Sequence, residues 1–166
     1  PHSMDPVQLA EAEAVLKSVR PFIRYISSGK ALNDLPNRDI CIAMTWSGDY
    51  TQAQARADEV GADVRLAYSV PKEGTVLWFD TWLIPADAPH PGNAHLFLNF
   101  IMRPEIIAAI SEFTGYANAN LASVPFLDEE LYQDPAAYPP MQARQGWQAG
   151  LIYDPKMERR RTRLWS

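Results

Sequence analysis

The chain has 166 residues, 47% of them hydrophobic, which is enough for one ordinary domain with a proper core and too apolar for a disordered segment. A formal net charge of -5 and a pI near 5.1 argue against general nucleic-acid binding, which needs a basic face, and are compatible with a cationic ligand. One cysteine rules out an intrachain disulfide, the three histidines show no metal-ligand spacing, and no apolar run approaches membrane-spanning length.

"PHSM" reads as a cloning scar followed by a start, so residues 1–4 stand outside the fold. "DPVQLAEAEAVLKSV" is predicted to be a helix, capped by Asp5 with Pro6 at its first position and with Leu9, Ala12, Leu16 and Val19 as its apolar stripe. "KALNDLPN" predicts a short helical piece. "DICIAMTW" has the content of a buried strand, with Cys41 as a small core residue. The helix after "SGDY" is expected to end at Gly61.

"VRLAYSVP" and "TVLWFDTWLIP" read as two further strands joined by the turn-like "PKEG". "GNAHLFLNFIM" and "PEIIAAISEFTG" read as successive helices, the second with Ile106, Ile107, Ile110 and Phe113 on its apolar face. Beyond Gly115 the chain is loop-rich. The basic tail "MERRRTRLW" reads as a solvated segment packed by Leu164 and Trp165. Alternating strands and helices indicate an α/β fold.

Two places could carry chemistry. In "TWSGDY", Trp46 and Asp49 stand where a strand is expected to hand over to a helix. Asp49 there can simply serve the helix start, and Trp46 can be a core residue at a strand end. In "LWFD", Asp80 interrupts an apolar strand, where an unpaired buried carboxylate would cost several kcal/mol. Alternation would put Trp78, Asp80 and Trp82 on one face. Trp78 and Asp80 could then hold an ammonium group, with charge from one and cation–π attraction from the other. An ion pair of Asp80 with Arg65 or Arg103 is the structural alternative. "GYANAN" carries ordinary cap and turn chemistry, yet Tyr116 could present its ring and hydroxyl to a cleft. Asp49 and Asp80 could in principle act as the acid and base of a glycoside hydrolase. No GxSxG, GxGxxG, P-loop or HExxH segment supports any other enzyme class.

Taken in order, "ICIAMTWSGDYTQAQARA", "PKEGTVLWFDTWLIPADAP", "FLNFIMRPEIIAAIS", "GYANAN", "YPP" and "RRRTRLW" resemble the C-terminal half of the periplasmic polyamine-binding proteins of bacterial ABC importers, the putrescine/spermidine receptors. The resemblance runs from about Asp5 to Trp165. It implies a type II periplasmic-binding-protein fold of two α/β lobes, incomplete here, with the first half of the family chain missing. Residues 5–68 would belong to the second lobe, 69–74 to the hinge crossover and 75–166 to the first lobe with C-terminal helices and tail.

The resemblance further implies that Trp46 lines the cleft and Asp49 binds an amine. Trp78 would pack on the ligand, Asp80 would contact an amine and Tyr116 would touch the ligand. Putrescine or spermidine would be the ligand and a membrane permease the partner, with no metal, no cofactor and no catalysis, in the periplasm. A fragment of each lobe would leave strand edges unpaired, which favours a homo-oligomer built by exchanged elements. The competing reading is a folded, associating fragment that binds no ligand.

Overall fold

The computed structural model describes residues 3, 5–145, 147–150 and 152–163. In chain order the elements are α1 (Pro6–Val19), α2 (Ala31–Asp34), α3 (Ser47–Glu59), β1 (Val76–Leu77), α4 (Pro91–Ile101), α5 (Pro104–Thr114), α6 (Glu129–Gln133), β2 (Gln148–Ala149) and α7 (Pro155–Arg163), with 3-10 turns at Arg20–Phe22, Leu121–Phe126 and Met141–Arg144. Of the expected α/β architecture the helices are present and the sheet is slight: among the described residues it is one two-residue pair. The chain divides into two compact units, one from the described residues of Pro1–Ser27, Glu73–Trp78 and Gly146–Ser166, the other from Ser28–Lys72 and Phe79–Gln145.

In the first unit, α1 starts as predicted: Asp5 Oδ1 accepts from the Val7 N–H at 2.9 Å, and Pro6 occupies a position whose N–H has no helical partner. Its half-buried stripe is Leu9, Glu13 and Leu16, while Ala12 and Val19 are exposed, so the apolar face is narrower than expected. β1 and β2 run parallel, with Val76 opposite Gln148 and Leu77 opposite Ala149. The tail is helical as far as Arg163 and mostly exposed, in keeping with a solvated segment. Asp154 caps α7 by accepting from the Lys156 and Met157 N–H groups at 2.8 and 2.9 Å, with Pro155 at the first position and Met157 buried on the inner side. Leu164 and Trp165, expected to pack the tail, lie outside the described residues.

The second unit is held by α2 against α3, α3 against α5, and α5 against both α4 and the Leu121–Phe126 turn. Its buried core is built of small groups: Ala31, Ala53, Ala57, Ala108 and Ala137, with Ile101 and the hydroxyls of Ser111 and Ser123. On α5 the buried side is Ala108 and Ser111, not the predicted stripe, and Phe113 is 88% exposed. Of the predicted stripe, Ile106 and Ile107 are half-buried and Ile110 and Phe113 exposed. Both helix stops hold: Gly61 follows the end of α3 and Gly115 the end of α5, each with positive φ (63° and 72°).

The three predicted strands are the main correction. Of "DICIAMTW", "VRLAYSVP" and "TVLWFDTWLIP", only Val76–Leu77 joins a ladder among the described residues. The period is present without the pairing. Ala62, Val64, Leu66, Tyr68 and Val70 are half-buried and the residues between them exposed. A side chain replaces the neighbouring strand here: Gln54 on α3 accepts from the Leu66 N–H at 2.8 Å and donates to the Val64 carbonyl at 3.2 Å. Cys41 is exposed rather than buried in a core, and Ile42 and Met44 are 90% and 99% exposed.

Among the described residues no helix is long and apolar enough to cross a membrane, and no group of three potential ligands could hold a metal ion.

Candidate functional site

The site in the second unit is built around the start of α3. Trp46 is the N-cap, with extended backbone (φ -81°, ψ 157°), and has no side-chain oxygen with which to satisfy the first amides. Asp49, three residues on, reaches back to accept from the Trp46 N–H at 3.4 Å, the returning half of a capping box. The same Oδ2 accepts from the Thr45 hydroxyl. Asp49 therefore does serve its helix, as one reading held.

It also does more. The Tyr116 hydroxyl donates to Asp49 Oδ1 at 3.1 Å, joining the residue after α5 to the first turn of α3. The approach is possible only because residue 48 is glycine. A Cβ there would lie 2.6 Å from Tyr116 Cζ, well inside van der Waals contact. A second close approach sits behind it, where a Cβ on Gly115 would lie 2.7 Å from Thr51 Cβ. Gln52 bridges the two helices by donating to the Thr114 carbonyl at 2.9 Å.

The rest of "GYANAN" supplies the anchor. Asn118 donates to Ser111 Oγ at 2.9 Å, and its Oδ1 accepts from the Asn120 N–H at 2.9 Å. Ser123 Oγ lies 3.0 Å from Asn118 Oδ1 and 2.7 Å from the Asn120 carbonyl. Asn120 donates onward to the Met102 carbonyl at 2.9 Å. This is turn chemistry, as expected, and it holds the strand-like stretch that delivers Tyr116.

Electrostatically the centre is acidic. Partial burial raises the Tyr116 phenol above its usual range; the Asp49 charge and its hydrogen bond push the same way, and the Asp80 charge adds a smaller push. Asp80 is thus within electrostatic reach of the Tyr116 hydroxyl. It is exposed, not buried in a strand as its surroundings suggested, because no ladder forms at this point. Arg103, one proposed partner for Asp80, pairs with Glu105. Trp46 is half-exposed at 50%.

Trp78 belongs to the first unit, where its ring lies on Gly150; a Cβ there would come within 3.0 Å of Trp78 Cζ3. Of the five residues singled out in the sequence, Asp49 and Tyr116 are joined by a hydrogen bond, Trp46 stands beside Asp49 at the cap, and Asp80 acts on the same hydroxyl only as a smaller charge. The residues that sequence reasoning missed are Thr45, Gly48 and Asn118. A glycine in the first turn of a helix, where it costs stability for no capping gain, was the available signal for Gly48.

With this geometry in place, residues 5–140 match the family described as bacterial extracellular solute-binding protein. The chain belongs to that family. Among relatives of this solute-binding protein, a putrescine-binding periplasmic protein of Escherichia coli (strain K12) is 43% identical over 155 residues, covering 93% of the chain and 42% of that protein. A putrescine/agmatine-binding protein of Pseudomonas aeruginosa is 35% identical over 167 residues, covering 100% of the chain and 46% of that protein. A spermidine/putrescine-binding periplasmic protein of Salmonella typhimurium is 28% identical over 160 residues, covering 92% and 44%. The chain thus spans less than half the length of the curated relatives it matches.

Proposed function

We propose that this chain is part of a periplasmic polyamine-binding component of an ABC importer. It takes putrescine or spermidine and presents it to a membrane permease. The observation that carries this reading is the Asp49 carboxylate held at the start of α3 and bonded by the Tyr116 hydroxyl at 3.1 Å, with the Trp46 cap beside it. A polyamine is a chain of methylenes with ammonium groups at fixed spacing. Carboxylates read the charges, and aromatic faces cover the methylenes between them. Asp49 and Asp80 are assigned to the amines and Tyr116 to a hydrogen bond at the charged end. Trp46 is assigned to the apolar segment. No bond is made or broken, and no cofactor is required.

In this reading residues 5–68 and 75–166 contribute to two lobes joined by the crossover at 69–74, and lobe closure over the ligand is the signal to the permease. The sequences of the relatives named for putrescine and spermidine support the ligand class.

Calorimetric titration of the chain with putrescine and with spermidine tests the proposal, with Asp80→Ala and Asp49→Asn in parallel. Saturable heat in the parent that is lost in Asp80→Ala supports it. Saturable heat that survives both substitutions overturns the site assignment. A flat trace in the parent favours the alternative, a folded and associating chain without ligand binding, which the exposed Ile42 and Met44 make a specific competitor.

A further inference from the structure

The ligand site leaves the most highly charged element of the molecule unexplained. α7 carries five cations, Lys156, Arg159, Arg160, Arg161 and Arg163, against one carboxylate, Glu158. Its formal charge is therefore +4, which leaves -9 for the rest of a chain whose total is -5. The cations are not spread evenly around the helix. Lys156, Arg159, Arg160 and Arg163 follow the i, i+3, i+4, i+7 spacing that places residues on one face, and all four are exposed. The opposite side is committed inward. Met157 is buried, and the Arg161 guanidinium lies 4.2 Å from the centre of the Tyr153 ring. The Asp154 cap and Pro155 fix the first turn. The result is a rigid, basic stripe about 10 Å long on an otherwise acidic protein.

We propose that this stripe docks on the phosphodiester headgroups of an anionic lipid bilayer. A helix bearing a cluster of at least four lysines and arginines is attracted to such a surface. The charge asymmetry favours a bilayer over a nucleic acid. In a bilayer, anionic lipids diffuse and gather under a small basic patch. A duplex carries a fixed charge about every 1.7 Å and cannot gather its phosphates under a patch this short. The stripe also presents no aromatic ring for base stacking. The stripe shares no residue with the polyamine assignment, so it stands or falls separately from polyamine binding.

The test is co-sedimentation of the whole chain with phosphatidylcholine vesicles, with and without phosphatidylglycerol. Binding is expected only to the vesicles that contain phosphatidylglycerol and is expected to weaken as salt is added. Each cation near the surface contributes roughly fivefold in partitioning, so the double substitution Arg159→Gln, Arg160→Gln is expected to lose on the order of 25-fold. Arg65→Gln with Lys72→Gln removes the same charge elsewhere and is expected to change partitioning little. Circular dichroism checks that α7 persists, and Lys156→Gln repeats the test with one charge on the same face. Equal binding to both vesicles, equal losses in the two double variants, or tighter binding to a DNA duplex than to the anionic vesicles would overturn the proposal.

Discussion

The Tyr116 hydroxyl and Asp49 Oδ1, 67 residues apart in the chain, are joined by one hydrogen bond of 3.1 Å. Together with the Thr45 hydroxyl and the Trp46 N–H, it gives the Asp49 carboxylate three donors from this chain. Replacing Tyr116 with phenylalanine keeps the ring over Gly48 and removes only the donor. The expected cost is about 1 to 2 kcal/mol of folding stability, read as a lower urea midpoint at unchanged slope.

The same pair sets a pH dependence. Burial first, then the Asp49 and Asp80 charges, hold the Tyr116 phenol protonated at pH values where the unfolded chain, near the ordinary 10.0, has lost its proton. Unfolding then releases a proton, so stability contributed by this group is complete below pH 10.0 and falls as the pH rises above it. The parent is expected to lose stability more steeply than Tyr116→Phe in alkaline denaturation. Parallel curves would show that Tyr116 does not carry the effect; Tyr68, also raised by burial, contributes to both.

Gly48→Ala gives a test with a diagnostic sign. In an open helix the change would stabilise by up to about 1 kcal/mol, whereas forcing a methyl into the Tyr116 ring costs about 1 to 3 kcal/mol. Net destabilisation in thermal unfolding, with a changed tyrosine environment in near-ultraviolet circular dichroism, is the expected result. Net stabilisation would mean that the ring does not sit on α3.

Asn118→Ala strips the partner from Ser111 Oγ, on a residue only 2% exposed. A cost of about 2 kcal/mol is expected, of the kind that follows when a buried polar atom loses its hydrogen bond. Asn118→Asp retains the acceptor for the Asn120 N–H and is expected to lose less.

Gln54→Ala removes both hydrogen bonds to the extended segment, at an expected cost of about 1 to 2 kcal/mol. Hydrogen exchange localises the effect: the Leu66 amide, which donates to Gln54, is expected to exchange faster while the α5 amides do not change.

The helices were legible because their signals are local. Asp5 with Pro6, Gly61 and Gly115 mark ends through backbone geometry that needs no distant partner. Strands carry half of their signal in the neighbour. The alternation from Ala62 to Val70 was readable and is present, but the sequence could not show that a glutamine side chain would stand where a ladder was expected. The α5 stripe misled for a related reason, since small residues, Ala108 and Ser111, won the buried face over Ile110 and Phe113. Asp49 and Tyr116 were each visible as candidates. Their contact was not, because it depends on the absent Cβ of Gly48, a feature that periodicity does not score.

Where α3 meets the end of α5, the small Thr51 side chain lies directly on the Gly115 backbone with no room for a Cβ between them, and Gln52 is tied to the Thr114 carbonyl. Long side chains at such a contact could change rotamer and let one helix slide over the other. Methyl-sized groups leave no such freedom. Any displacement of α3 must carry α5 with it, and the spacing between the Asp49 carboxylate and the Tyr116 hydroxyl is preserved as the two helices travel as one block.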